Sequence, residues 1–146
     1  MKIIFLIIAI MSILNADFTK DGDVVTDNIT KLQWQDDAIG SDMSWIAAIN
    51  QCETLFLAGH SDWRLPNIKE LTSLVDETKS NPSIDTTFVN TGFYDFSSGM
   101  TSTIYWTSTT SAGGISGAYR VNFFDATHKS SDSDDESLVR CVRGGE

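Results

Sequence analysis

The run Leu57-Ala58-Gly59-His60-Ser61-Asp62-Trp63-Arg64-Leu65-Pro66-Asn67-Ile68-Lys69-Glu70-Leu71 decides the fold, because it closes one helix and opens another. Gly59 supplies the left-handed stop that ends a preceding helix. Pro66 cannot sit inside a helix, and Asn67 followed three residues later by Glu70 is a capping-box start in which Asn replaces the usual Ser or Thr. Ile68, Leu71, Leu74 and Val75 then form a buried stripe, with Lys69, Thr72, Ser73 and Asp76 facing away. On the N-terminal side, Trp45, Ile49, Cys52 and Phe56 fall on one helical stripe behind Ser44, a suitable N-cap. Cys52 on that stripe points its sulfur into the core.

Further out the period changes. Residues 24–26 and 31–35 flank Asp27-Asn28-Ile29-Thr30, with Leu32 and Trp34 on one face, and read as a hairpin. Asn28-Ile29-Thr30 also spells a glycosylation sequon, a three-residue match of low specificity. Residues 77–100 lose periodicity. Turn signals at Asn81-Pro82-Ser83, Asn90-Thr91-Gly92 and Ser97-Ser98-Gly99 alternate there with the apolar anchors Ile84, Phe88, Phe93, Tyr94 and Phe96. An irregular segment held by aromatics reads as a packed, functional loop. Strands are expected over 104–109, 118–124 and 137–143, joined by loops at 111–117 and 130–136. The last strand carries Val139 and Cys141 on one face and Leu138, Arg140 and Val142 on the other. It should therefore be covered on both sides, with Arg140 partnered by a carboxylate or carbonyl. Hairpin, two helices, long irregular region and C-terminal antiparallel strands make an α+β domain.

The chain has 146 residues, with 20 acidic against 10 basic side chains and a formal charge of -10. That is one domain of ordinary size, and its acidity argues against nucleic acid as a partner. Met1-Lys2 precedes a run from Ile3 to Leu14 that is apolar except for Ser12, ending at Asn15-Ala16-Asp17. This is the layout of a secretory signal peptide, residues 1–16, and the run is too short to span a membrane. The mature chain, 17–146, would then be a single exported domain, periplasmic, at the cell surface or secreted. Loss of Lys2 leaves 9 basic against 20 acidic residues, or -11. Outside the cytoplasm, Cys52 and Cys141 read most simply as one disulfide, with two buried thiols or a reactive pair as the alternatives.

Chemistry-bearing motifs are scarce. The two histidines, His60 and His128, lie far apart, and no zinc spacing, nucleophile elbow or phosphate loop occurs. His60 reads as a local hydrogen-bonding residue. The adjacent pairs Asp36-Asp37, Asp76-Glu77 and Asp134-Asp135 read as solvated turns. Asp132, Asp134, Asp135 and Glu136 are weak calcium candidates, since calcium takes oxygen ligands, although the EF-hand spacing is absent. No other cofactor is indicated.

Several runs together carry a resemblance: Val25-Thr26-Asp27-Asn28, Leu32-Gln33-Trp34-Gln35, Met43-Ser44-Trp45-Ile46-Ala47-Ala48 with Cys52, the opening run through Trp63-Arg64-Leu65-Pro66, Tyr105-Trp106-Thr107-Ser108-Thr109, and Val139-Arg140-Cys141-Val142-Arg143-Gly144. From about Asp23 to Gly145 the chain resembles the Lcl C-terminal domain family, a bacterial domain also found at the end of a collagen-like surface adhesin. The resemblance implies a C-type-lectin-like fold, similar also to the formylglycine-generating enzyme superfamily. It makes Trp63, Arg64, Leu65, Pro66 and Glu70 a scaffold motif that sets the second helix, and a Cys52–Cys141 link a tie from first helix to last strand. Two departures matter. The chain lacks Gly-X-Y repeats, and its charge opposes the sulfated glycosaminoglycans associated with the adhesin. Of its late basic residues only Arg120, Lys129, Arg140 and Arg143 cluster in sequence.

The expectation is a non-catalytic binding module that meets a glycan or an extracellular protein through exposed Tyr or Trp on residues 77–117. An enzyme related to the formylglycine-generating oxidases, which use thiols with copper, and a structural subunit of an envelope complex are the alternatives.

Overall fold

The computed structural model describes residues 17–93, 96–97, 102–112 and 117–144. The expected leader 1–16, Tyr94, the Ser98-Gly99 part of one turn signal and residues 113–116 of one loop lie outside the described residues.

The capping box behaves as its chemistry requires. Asn67 Oδ1 accepts from the Glu70 amide at 2.9 Å, and Glu70 Oε2 accepts from the Asn67 amide at 2.8 Å. Helix α2 (Ile68–Thr72) is shorter than the apolar stripe, yet Leu71 and Leu74 are both buried. Helix α1 (Trp45–Thr54) buries Ala48 and Cys52. Ser44 stands at its N-cap position in extended conformation without a side-chain cap bond. Because Leu55 is already extended, Phe56 leaves the expected stripe and is 74% exposed. Gly59, at φ +81°, lies in the turn after the helix rather than at its stop.

Two antiparallel sheets carry the rest. The first runs β1 (Phe18–Asp21), β2 (Val24–Asp27), β3 (Gln33–Gln35), β7 (Val142–Arg143). The expected hairpin is β2–β3, with Val25 opposite Trp34. Asp27 closes its turn by accepting from the Ile29 amide at 2.8 Å and the Thr30 amide at 3.0 Å. The second sheet runs β4 (Ile104–Thr110), β5 (Gly117–Asn122), β6 (Thr127–Asp132). Strands β1 and β6 are edge strands that the sequence reading missed. β1 has a single apolar residue, Phe18, and β6 has none, so neither shows an apolar alternation, and part of β6 was assigned to a loop. Gly117 is required where β5 meets β6: a Cβ there would stand 1.8 Å from the Ser131 carbonyl oxygen.

The expected strand 137–143 is regular only at Val142–Arg143. Upstream, Leu138 pairs in parallel with Tyr105 and Ser137 bridges Met43, so this segment passes from one sheet to the other. That is why both its faces are apolar. One core, around Trp34, Leu71, Phe88, Tyr105 and Phe123, lies between the sheets and α2. The other, around Cys52, Trp63, Trp106 and Cys141, lies under α1. The resulting small α+β domain has the expected class and element order.

Cys52 and Cys141 form the disulfide, with Cα atoms 5.4 Å apart, and join α1 to the last segment. The loop it closes spans 89 residues. Chain entropy for such a loop is worth about 4–5 kcal/mol. Chemical denaturation of a Cys52→Ala/Cys141→Ala double variant should show a loss approaching that size. A loss below about 1 kcal/mol would mean that the bridge adds little to the packed core.

Candidate functional site

From Ser73 to Phe93 the chain contains no named helix or strand, yet it is closely fastened. Val75 bridges Ile84, and the Asp76 amide donates to the Ser83 carbonyl at 3.0 Å, closing a loop whose tip holds a cis Asn81-Pro82 bond. Within the loop, Asp76 accepts from the Thr78 amide at 3.0 Å and from the Lys79 ammonium. Lys79 also stands 3.9 Å from Asp85. Hydrogen bonds from Lys79 and Thr78 hold the Asp76 carboxyl at about 2, and the same pairing raises Lys79. Asp85 accepts from the Thr87 amide at 2.8 Å, and hydrogen bonds from Thr87 lower its pKa.

The far end of the segment is anchored on Asp36 and Arg140. Asp36 Oδ2 accepts from the Val89 amide and Oδ1 from the Asn90 amide, both at 3.1 Å. Arg140 donates to Asp36 Oδ1 at 3.0 Å, to the Gln35 carbonyl at 2.7 Å and to the Asn90 carbonyl at 2.7 Å. Its guanidinium lies 4.9 Å from the Phe88 ring centroid and 5.7 Å from that of Tyr105. Lys20 of β1 completes the cluster on Asp36. Burial pushes the Asp36 carboxyl up, but hydrogen bonds from Lys20, Arg140 and the Val89 amide outweigh it and hold the group below its ordinary value. Gly92 finishes the anchor: its amide donates to the Tyr105 hydroxyl at 2.9 Å, and a Cβ there would meet the Ser102 carbonyl oxygen at 1.9 Å.

Against this fixed backing the segment forms a groove of about 610 Å³ lined by Lys79, Ser80, Pro82, Ile84, Asp85, Thr86, Phe88, Val89 and Thr91. A second groove of about 410 Å³ is lined by Glu77, Lys79, Ser80, Ser83, Phe124, Asp125 and Ala126. A third, of about 470 Å³, lies between α2 and β6 at Ile68, Lys69, Thr72, Ser73 and His128.

The structure redistributes several sequence candidates. Tyr105 and Trp106 are buried, so the exposed aromatics in the described part of 77–117 are Phe93 and Phe96, not Tyr or Trp. The calcium candidates do not converge: Asp132, Asp134 and Glu136 are exposed, while Asp135 is engaged by the Ser131 hydroxyl and lies 3.5 Å from Arg120. Among the described residues no three His, Cys, Asp or Glu side chains form a group that could hold a metal ion. His60 and His128 are both exposed, with His128 against the Tyr119 ring.

The late basic residues form no patch. Arg140 is buried on Asp36, Arg143 pairs with Asp62 at 2.7 Å, and Arg120 pairs with Asp135 and lies 5.2 Å from the centroid of the Trp106 ring. Trp63, Leu65 and Pro66 are buried, and Arg64 grips Glu70 through two bonds of 2.7 and 2.8 Å. The Arg64 backbone also bridges Val142, which ties the start of α2 to the last strand. Asp36, expected in a solvated turn, is instead the buried anchor. Its signal lay in Arg140, a cation in an apolar strand that had to find a carboxylate or carbonyl.

A small α+β domain thus presents a long irregular segment, pinned from beneath by a buried ion pair, with a mixed polar and apolar groove along it. The model of the Lcl C-terminal domain matches residues 23–143, and the chain belongs to that family. Among curated proteins, none matches the chain.

Removing one member of a buried, hydrogen-bonded pair costs roughly 3–5 kcal/mol. Asp36→Asn should lose an amount near that range, and Asp36→Asn combined with Arg140→Met should lose less than the sum of the two single losses. The folded pKa of Asp36 lies below its unfolded value, so its contribution is complete above about pH 4 and is lost as pH falls through the folded value. The stability gap between wild type and Asp36→Asn, read by denaturation at several pH values, should be flat from about pH 5 to about pH 8 and narrow below about pH 4. A gap that widens on acidification would contradict the assignment.

Proposed function

We propose that this protein is an exported, non-catalytic binding module that recognises a glycan in the groove between Lys79 and Thr91. The observation that carries the reading is that groove on its fixed backing. Ser80, Thr86 and Thr91, the acidic Asp85 and the basic Lys79 line it together with the apolar Pro82, Ile84 and Phe88. A sugar has the matching character, with hydroxyls around its edge and C–H groups on its face. A concave, mixed lining favours such a ligand over a protein surface, whose sites are flatter and whose buried centre is more apolar. The anchoring beneath the segment lowers the ordering cost of binding.

Export rests on the sequence of residues 1–16, with cleavage after Ala16 leaving residues 17–146 as the mature domain. Among the described residues no helix is long and apolar enough to cross a membrane. The enzyme alternative draws on free thiols that hold copper, and here Cys52 and Cys141 are bonded to each other.

Charge-assisted hydrogen bonds contribute about 1.5–3 kcal/mol. Asp85→Asn should therefore weaken binding to any glycan found on an array by about tenfold or more, with melting temperature changed little, and Lys79→Gln, whose ammonium is already held by Asp76, should weaken it less. Absence of signal across the array, or full affinity in both variants, would overturn this placement. Protein recovered from the exported fraction should begin at Asp17 on N-terminal sequencing; an intact Met1 there would overturn cleavage.

A further inference from the structure

Resting on that reading, we infer that the site takes an uncharged, linear glycan laid across both grooves rather than a single terminal sugar. Lys79 and Ser80 line the 610 Å³ groove and the 410 Å³ groove alike, so the two meet along one ridge. Each alone has the volume of a small-molecule site. Together they form a track longer than one sugar ring needs.

Polar groups crowd the ridge, where Ser80 stands beside Lys79. Both grooves also carry apolar residues. Val89, in the first groove, is 63% exposed. Phe124 lines the second, with the Phe96 ring 6.1 Å away and 75% exposed. Each sugar of a chain carries hydroxyls at its edge and C–H groups on its face, so a chain can meet both kinds of surface along the track.

Charge narrows the class. The linings hold the carboxylates Asp85, Glu77 and Asp125 against the single ammonium of Lys79. Lys79 is itself bound to Asp76 and close to Asp85, so little of its charge is left for a ligand. A sulfated or uronic-acid chain would meet net negative charge along the whole track. An uncharged chain does not.

The test is calorimetric titration of the mature protein with cello-, xylo- and chito-oligosaccharides of one to six units, and with a heparin hexasaccharide. Affinity for the uncharged series that binds should rise at least tenfold with length and then level off. Ser80→Trp, a bulky side chain on the exposed ridge, should reduce hexasaccharide affinity to that of the disaccharide, and Phe124→Ala should weaken the longest chains while sparing the shortest. A disaccharide that binds as tightly as the hexasaccharide, unaffected by either variant, overturns the two-groove inference and leaves the single-groove reading standing. Tighter binding of heparin overturns the assignment to uncharged chains. Failure of every oligosaccharide, with binding instead of a lysine-rich peptide or no binding at all, overturns the glycan reading and this inference with it.

Discussion

The buried pair between Asp36 and Arg140 is the constraint on which the arrangement of this domain depends. Taking two charges out of water is costly, and their attraction repays that cost only when the remaining donors and acceptors are also satisfied. Here they nearly all are. Asp36 receives the Val89 and Asn90 amides and Lys20 as well as Arg140, and Arg140 reaches the carbonyls of Gln35 and Asn90 as well as Asp36. Among the described residues only the Arg140 Nε is left without a partner in this cluster. Each bond comes from a different stretch of chain: the end of β3, the irregular segment, the edge strand β1 and the approach to β7. The pair therefore sets their mutual positions, a task that nonspecific apolar contact does poorly.

The disulfide acts beside this pair. Cys141 follows Arg140, and its backbone exchanges bonds with Gln35: the Gln35 amide donates to the Cys141 carbonyl at 2.9 Å, and the Cys141 amide donates to Gln35 Oε1 at 3.1 Å. The bridge to α1 thus holds the last segment against β3 at the point where Arg140 must be presented to Asp36. One cross-link limits the unfolded chain and the other specifies the folded one, and they meet at adjacent residues.

The sequence was informative where local chemistry decides the outcome. Asn67 and Glu70 needed only each other to start α2, and the alternation of Leu32 and Trp34 placed β3. It was less informative where a partner is distant. Arg140 announced that it needed a carboxylate or carbonyl, but nothing local distinguished Asp36 from the other acidic pairs, and Asp36 lies 104 residues away. The edge strands β1 and β6 were hidden for another reason: β1 has one apolar residue, Phe18, and β6 has none, so neither offers an apolar alternation to read. The groove was legible only as a region. Turn residues and scattered aromatics marked 77–100 as a structured loop, but it is packing against the Asp36–Arg140 anchor that turns Phe88 inward and leaves Val89 outside.

An acidic chain with few cations must choose where to place them, and the placement bears on what it can bind. Of its arginines, Arg140 is sealed in the anchor, Arg64 holds the capping box through Glu70, Arg143 is spent on Asp62, and Arg120 faces Asp135 over Trp106. Arginine is the residue best shaped for two-point recognition of sulfate and carboxylate. Every arginine in this chain already serves another group of the same protein. The single lysine in the groove is likewise held by Asp76. The positive charge of the described domain is thus used largely to build the scaffold, and what the irregular segment offers outward is hydroxyls, carboxylates and apolar surface. On the proposed reading, that division of labour counts against a polyanion ligand more firmly than net charge alone, because a net charge can be overcome by a local patch and here the arginines for such a patch are already committed.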